Sequence, residues 1–558
     1  MQKICAAVII IICFFSCNKK NDITAITSEN SQQAKAASFY LVSLQADNQT
    51  GNFIYYHVSI HPTFKIKFSK AVDTTAAPSN IQLKIGSGRV AVNYSYANNG
   101  NTVILQPKSS LYYITKYTIF IDSDLKSSNQ QSLGVVYNYN QVTTIDSSDK
   151  FPRLNKNKLL NLVQKTTFNY FWNAGNPVSG MAKERLTSDV CTTGGTGFGI
   201  MGIPVAIERN FITRAEGLTR MTKLVNFLDQ KCSKYHGAFA HWINGSTGAT
   251  IPFSAHDDGA DLVETSYLME GLLAARQYFD GTDSNETNLR NTINKLYQNV
   301  DWNFFRNGQN TLYWHWSPNY GWDTYQQVNG WNEALITYVM AASSPTHPIN
   351  LFTYKNGWAR NGAIKNGNTY YGTVLPLGPS NGGPLFFEHY SFMGINPNGL
   401  TDAYADYQQQ TLAHTKINYN YCVANPKRYN GYSDSCWGLT ASDDNISFYL
   451  AHEPNNDDGV LTPTAALSSF PYTPAQSMAA LQFFYYKLGD KLWNSNYGFK
   501  DAFNLTNPWF DSDYLAIDQL PIIVMIENYR SGLIWDLFMK CPEVKTGMTT
   551  LGFSSPHF

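Results

Sequence analysis

The chain has 558 residues, with 41 Lys+Arg against 41 Asp+Glu and only 15% charged residues. That length suits two or three domains, or one small module plus one large domain. With zero net charge and no basic run, the counterion-release term behind nucleic-acid affinity is missing, which excludes nucleic acid as a partner. The 12 Trp, 36 Tyr and 32 Phe often stand beside Asn, Gly and Asp, company that suits stacking on a ligand, although such rings also serve as core.

Residues 1–16 carry Lys3 and then a continuous apolar stretch. The stretch is shorter than the roughly 20 residues that span a bilayer, so it reads as a signal peptide. Phe15-Ser16-Cys17, followed by polar Asn18 to Asp22, resembles a relaxed bacterial lipobox. That implies Cys17 as the lipidated first residue of the mature chain; ordinary cleavage nearby is the alternative. Residues 17–36 are rich in Ser, Asn, Gln and Ala and read as a flexible tether. Lys19 and Lys20 directly after Cys17 lack an acidic export signature, so an outer-membrane lipoprotein on the periplasmic side is expected. Of the eight cysteines, Cys191, Cys232, Cys422, Cys436 and Cys541 lie beyond this region. The set is odd and widely spaced, without CxxC pairs; one bridge, Cys422 to Cys436, is conceivable, and no metal or cofactor is expected.

From residue 37 to 146 the pattern turns to short alternating runs: Phe64 to Phe68, Ile81 to Ile85, Thr102 to Leu105 and Tyr117 to Ile121, separated by polar turns such as Asn98-Asn99-Gly100-Asn101. About seven strands predict an immunoglobulin-like β-sandwich. The order of these runs resembles the bacterial Ig-like modules that precede secreted carbohydrate enzymes. No ionisable cluster converges there, so a spacer role is expected.

From about Phe151 the periodicity becomes helical, with helices expected over 156–173, 213–230, 258–280, 287–304, 327–343, 399–416, 473–488 and 517–539. Long loops rich in Gly, Asn, Trp and Tyr connect them, and such loops are usually functional. Antiparallel helix hairpins around a ring, an all-α (α/α)6 barrel over residues 150–545, fit this pattern.

Acidic residues mark the chemistry. In His256-Asp-Asp-Gly-Ala-Asp-Leu-Val-Glu264, a helix would put Asp257, Asp261 and Glu264 on one face. Like charges so close oppose one another's ionisation unless they serve protons, a cation or sugar hydroxyls; a solvated acidic face is the alternative. Glu333, in Trp331-Asn-Glu333, falls in the first turn of an apolar helix beneath Trp314, Trp316 and Trp322. Burial there raises a carboxyl toward the range of a general acid, while a plain helix-dipole role is the competing explanation. Further candidates are Glu388 and His389, Asp443, Asp518, and the pair Glu527 and Arg530. Asp518 also suits a helix cap, and Glu527 with Arg530 a simple ion pair. Gly197 to Gly202 fits GxGxxG but follows no strand, so dinucleotide binding is dismissed. P-loop, GxSxG, HExxH and EF-hand patterns are missing.

Taken together, the Asp257/Asp261/Glu264 segment, Trp-Asn-Glu333, Phe-Glu388-His389-Tyr-Ser-Phe, Gly438 to Asp443 and Asp518-Gln-x-Pro…Glu527-Asn-Tyr-Arg530 resemble the bacterial glycoamylase-like domain, and more narrowly the endo-β-1,2-glucanases of glycoside hydrolase family 144. The resemblance implies an (α/α)6 barrel that hydrolyses β-1,2-glucan with inversion. It implies Glu333 as general acid, with Asp257, Asp261 and Glu264 as important acids. Asp518 is the first choice of base and Asp443 the second. Leu520 stands where the family pattern has Gly. Trp314, Trp316, Trp322 and Trp331 would be stacking platforms, and Glu388, His389, Asp443, Glu527 and Arg530 would contact a glucan oligo- or polysaccharide. The protein is expected to be a monomer held to the membrane by its N-terminal lipid. A non-catalytic glycan-binding lipoprotein of an uptake system is the alternative, and a polysaccharide lyase on the same barrel is disfavoured by the acids.

Overall fold

The computed structural model describes residues 38–51 and 53–558. The signal peptide, Cys17 and the tether lie outside the described residues. The chain divides into two compact units between Ser147 and Ser148, with Leu505–Pro508 grouped with the first.

The first unit is mainly β. Among its described residues ten strands form two five-stranded sheets, more than the seven expected, with one short helix, Ala77–Asn80. One sheet has the order Gln49–Thr50, Leu41–Ala46, Phe64–Phe68, Thr102–Pro107, Val92–Ala97; the other has Ile54–Val58, Tyr137–Thr143, Lys116–Ile121, Ile81–Ile85, Gly88–Val90. All four runs picked from the sequence are strands. Phe64–Phe68 alternates strictly between buried Phe64, Ile66 and Phe68 and exposed Lys65 and Lys67, the period of two that packs one face of a sheet on another. The Asn98–Gly100 turn has positive φ at Asn98, Asn99 and Gly100, where Asn and Gly are least strained.

The second unit is helical. Thr193–Glu208, Leu262–Tyr278, Leu335–Ser343 and Ala516–Arg530 are buried along nearly their whole lengths. By contrast, Arg214–Gln230 and Ser284–Gln298 bury one stripe, such as Leu289, Ile293 and Leu296, so an inner and an outer set of helices is present. Helices expected at 156–173, 213–230 and 473–488 form as Lys156–Ala174, Arg214–Gln230 and Pro474–Tyr486. Others differ. The 327–343 helix starts only at Leu335, because Gln327–Val328 pairs with Leu312–Tyr313 as strand. The 399–416 helix forms as Tyr407–Ala424. The 517–539 helix breaks at Gly532, whose φ of 73° lies in the left-handed region, into Ala516–Arg530 and Leu533–Met539. Leu520 is fully buried within Ala516–Arg530, which runs on unbroken through it.

The GxGxxG segment, dismissed for dinucleotides, is the buried helix Thr193–Glu208, which the periodicity did not reveal. Its glycines serve close packing. A Cβ on Gly197 would meet the Tyr267 carbonyl oxygen at 2.2 Å, and one on Gly271 would meet the Gly197 carbonyl at 2.1 Å. The two helices therefore touch backbone to backbone. Cys422 and Cys436 are both buried and free, so the bridge is not formed.

This packing yields a contrast within one motif. Gly197→Ala should lower the melting temperature, since overpacking against backbone costs about 1–3 kcal/mol. Gly202→Ala, whose new Cβ would sit 3.5 Å from its nearest neighbour, should be neutral or stabilising by up to ~1 kcal/mol from helix propensity. Thermal unfolding of both variants checks this.

Candidate active site

The Gly197–Gly271 crossing brings the N-terminus of Thr193–Glu208 against the first turn of Leu262–Tyr278. Gly194 N donates to Glu264 Oε2 at 2.6 Å and Thr192 Oγ1 donates to the same oxygen at 3.4 Å. A Cβ at Gly194 would fall 2.6 Å from that oxygen, so the approach requires glycine. The helix N-terminus offers its unpaired amide and the positive end of its dipole to the carboxylate.

Asp257, Asp261 and Glu264 do not share a helix face as expected. Asp261 is the N-cap, its Oδ1 accepting from Glu264 N at 2.9 Å, while Asp257 precedes the helix in a turn. Two histidines gather them. His241 Nδ1 lies 3.0 Å from Asp261 Oδ2, and His315 Nδ1 lies 3.2 Å from Asp257 Oδ2 and 3.8 Å from Asp261 Oδ2. Burial alone would lower the His241 imidazole, but the charges of Glu264 and Asp261 outweigh it and raise it to about 10. His315 is raised in the same way against its burial by Asp257 and Asp261. Asp261, despite full burial, is held below its ordinary value by His241 and His315. Glu264 is driven the other way, upward, by burial first and then by Asp261.

Glu333 sits in the turn just before Leu335–Ser343 instead of inside its first turn. Burial, reinforced by the charges of Asp261 and Glu264, lifts its carboxyl to about 7. Its backbone is clamped by Ser391, whose Oγ donates to Glu333 O at 2.5 Å and accepts from Ile336 N at 3.0 Å. Tyr267 and Tyr390 meet edge to face at 5.7 Å, each 5.1 Å from Phe198, forming an aromatic floor. Both hydroxyls are pushed up, by burial first. Tyr267 then feels Glu333, Glu264 and Asp261, and Tyr390 feels Asp518 and Glu333.

A second acidic group adjoins this floor. Arg185 Nη1 pairs with Asp443 Oδ2 at 2.5 Å, and Asp443 N donates to Asp501 Oδ2 at 2.8 Å. Asp518, in the first turn of Ala516–Arg530 and not its cap, is raised by burial and by Asp443 and Glu184. Asp501 is raised also, by burial and then by Asp518, so this buried pair retains a proton near neutrality. Among the described residues, three sets have donor atoms close enough to hold a cation: Asp257, Asp261 and His315; Asp443, Asp501 and Asp511; and Asp444, His452 and Asp458. In the first set, His315 Nδ1 already lies against both carboxylates, 3.2 Å from Asp257 and 3.8 Å from Asp261.

Several expected contacts lie elsewhere. Trp331 is buried, and its Nε1 donates to Glu388 Oε1 at 3.0 Å. Glu388 is itself fully buried between Gln410 and His414, at 2.9 and 2.8 Å. His389 is buried against Ser469, and burial pushes its imidazole down to about 3. Glu527 pairs with Arg209 at 2.6 and 2.8 Å, not with Arg530, which donates to Gln164 at 2.6 Å. These two lie nine or more residues along the helix from Asp518, about 14 Å at 1.5 Å per residue, at its other end. Trp316 and Trp322 pack with Phe304, with Trp316 also against His236. Trp314 lies parallel to His315, 6.1 Å away. Exposed rings beside the charged groups also include Phe253, 4.4 Å from His241, and Phe448, 5.2 Å from the Arg185 guanidinium. The shallow hollow lined by Trp172, Arg220 and Lys223 contains none of these acids.

Sequence reasoning passed over His241, His315, Glu184, Arg185, Tyr267, Tyr390 and Ser391. His315 lay between the two tryptophans read as platforms, and Tyr390-Ser391 directly follows the Glu388-His389 pair that was chosen instead. Ser391→Ala should lower kcat by ~10-fold with KM little changed, because a slight displacement of a reacting group is costly; steady-state kinetics checks it.

The family model described as "Putative glucoamylase" matches residues 325–542, and a bacterial Ig-like domain model matches residues 21–143. A crystal structure from Bacteroides uniformis ATCC 8492 bearing the same glucoamylase description is 55% identical, covering 73% of this chain and 100% of its own, with a TM-score of 0.72. An endo-β-1,2-glucanase from Chitinophaga pinensis, solved with sophorotriose and glucose, is 48% identical over 73% of this chain and 100% of its own, with a TM-score of 0.71. An exo β-1,2-glucooligosaccharide sophorohydrolase (non-reducing end) from Parabacteroides distasonis is 42% identical over 462 residues, 78% of this chain; the chain spans 64% of that relative's length.

Proposed function

Because the chain belongs to the bacterial glycoamylase-like family of glycoside hydrolases, family 144, with an N-terminal Ig-like domain, we propose that it hydrolyses β-1,2-linked glucan, with Glu333 as general acid. The observation that carries this reading is a carboxyl raised to about 7 by burial beside Asp261 and Glu264, so that it still holds a proton near neutrality.

In this mechanism Glu333 protonates the leaving glycosidic oxygen, with its backbone fixed by Ser391. Asp518 is the base that activates water on the opposite face of the sugar, giving inversion, for which the two carboxyl groups must stand about 6.5–9.5 Å apart. The proton that the Asp501–Asp518 pair retains resides on Asp501, which leaves Asp518 ionised as the base, and Arg185 favours that state by opposing the upward shift of Asp518. Asp257, Asp261 and Glu264, set by His241 and His315, accept hydrogen bonds from sugar hydroxyls and keep Glu333 protonated. Trp314 and Phe253 supply ring faces for sugars. The inner and outer helix sets support an (α/α)6 barrel. Cys17 carries the lipid that holds a monomer at the periplasmic side of the outer membrane.

The test is reducing-end release from linear β-1,2-glucan beside starch, laminarin and a cellulose derivative. Release from β-1,2-glucan alone is expected, falling about 10³-fold in Glu333→Gln, the scale of general-acid catalysis. A nitrophenyl β-sophoroside, whose leaving group needs no proton, should largely restore the variant. The product's first-formed anomer, read by NMR, should be α. Undiminished hydrolysis by Glu333→Gln would remove the acid assignment, and a β product would remove inversion.

A further inference from the structure

The hairpin of Ala441–Asp444 and Phe448–Ala451 carries Asp443 to Arg185. Its tip holds the two most exposed large apolar side chains of the second unit, Ile446 at 71% and Phe448 at 75%. Asp444 Oδ1 closes the three-residue turn between the strands, accepting from Ile446 N at 2.6 Å and from Ser447 N. The residue that ends such a turn takes up left-handed backbone, a place that glycine fills without strain. Here that residue is Phe448, with φ of 71°. A bulky side chain in that region stores strain, and a ring left in water gains no burial to offset it.

The strain re-aims the ring. Phe448 stands opposite Asp444, and Tyr449 opposite Asp443, so alternation alone would turn Phe448 away from Asp443 and its partner Arg185. The left-handed backbone brings the ring back, and the Arg185 guanidinium lies 5.2 Å from its centre. Among the described residues no other aromatic ring packs on Phe448, so its second face is open to solvent. Arg185 has donors to spare: among the described residues its guanidinium makes a single hydrogen bond, Nη1 to Asp443 Oδ2, and the side chain is 20% exposed. Tyr449 is partly exposed, yet its hydroxyl is pushed up by burial first and then by Asp518 and Asp501. The strand therefore runs from the exposed tip to the side of the proposed base.

An open aromatic face beside a guanidinium with unused donors matches the chemistry of a β-glucosyl ring. The ring hydroxyls of β-glucose are all equatorial, which leaves axial C–H bonds to lie on the negative face of a phenyl ring. A β-1,2 link leaves the hydroxyls on the next two ring carbons free as a vicinal pair, and a guanidinium fork reaches both with parallel N–H donors. The buried carboxyl groups of Asp443, Asp501, Asp511 and Asp518 close by disfavour an anion as the ligand of Arg185.

We propose that Phe448 and Arg185 form a binding subsite for one glucosyl unit, with Phe448 stacked on the sugar and Arg185 donating to its vicinal hydroxyls. The subsite rests on the β-1,2-glucan reading above and lies on the Asp518 side of the acidic centre, apart from the rings of Trp314 and Phe253. The left-handed backbone at Phe448 serves to aim the ring.

The experiment is calorimetric titration of linear β-1,2-glucooligosaccharides into the full chain carrying Glu333→Gln, alone and combined with Phe448→Gly or Phe448→Trp, with thermal unfolding of each. Phe448→Gly should bind about 10-fold more weakly, the scale of one ring contact, while its melting temperature stays equal or rises, because glycine takes this backbone without strain. Phe448→Trp should keep the parent's affinity. With Glu333 intact, Phe448→Gly should raise KM about 10-fold and leave kcat little changed, the mark of lost uniform binding. Unchanged affinity in Phe448→Gly would overturn the proposal, and so would affinity and melting temperature falling together, since the ring would then be structural. A parent that binds no β-1,2-glucooligosaccharide would also overturn it, and the wild type's own hydrolysis of β-1,2-glucan then decides separately whether the substrate reading falls as well.

Discussion

The second unit is organised around the cost of holding several carboxylates in one dry place. Asp261 and Glu264 are buried side chains in one first turn of a helix, with Glu333 beside them. Water screens the two buried ones hardly at all and the half-buried Glu333 little, so protein groups must. His241 and His315 neutralise Asp261 and Asp257, and a helix N-terminus receives Glu264. Glu333 has no ion-pair partner among the described residues, and burial raises its carboxyl to about 7. Asp261, beside two imidazoles, is held below its ordinary value, whereas Glu264 and Glu333 are both raised to about 7, so neighbouring carboxyls divide by their partners into an anion and proton holders.

That arrangement reaches back into helix packing. The Gly194 amide can meet Glu264 only because two helices cross with Gly197 and Gly271 at their contact, where any Cβ would strike backbone. Elsewhere buried charge is paired outright. Glu527 is matched by Arg209 in two short hydrogen bonds, and Glu388 is held by Trp331, Gln410 and His414. The helix Ala516–Arg530 shows both kinds at its two ends, with Asp518 raised at one and Glu527, held below its ordinary value chiefly by Arg209 against its burial, at the other.

Much of this was legible in the residues. The period of two in Phe64–Phe68 and the acids of the 257–264 segment pointed to a sandwich and to an acidic centre, and both are present. Helix limits were less legible near the centre, because short strand pairings such as Leu312–Tyr313 with Gln327–Val328 depend on residues distant in sequence. Roles within motifs were harder still. In Glu388-His389-Tyr390-Ser391, the ionisable pair looked functional, yet both side chains are buried against Gln410, His414 and Ser469, while Tyr390 joins the aromatic floor and Ser391 holds the Glu333 backbone. Trp331 shows the same limit: an indole beside Asn and Gly looks like a platform until its burial against Trp358 and Phe392 is known. A glycine-rich helix with no apolar periodicity was invisible because every one of its faces is covered.

The central claim is that Glu333 holds its proton near neutrality. Its ionisation can be followed directly by carbon NMR of the side-chain carboxyl in glutamate-labelled protein, assigned by the signal lost in Glu333→Gln. A midpoint near 7 is the result expected. A midpoint at the ordinary glutamate value of about 4.3 would mean that Glu333 is solvated and ionised at neutral pH, and would contradict its role as the acid.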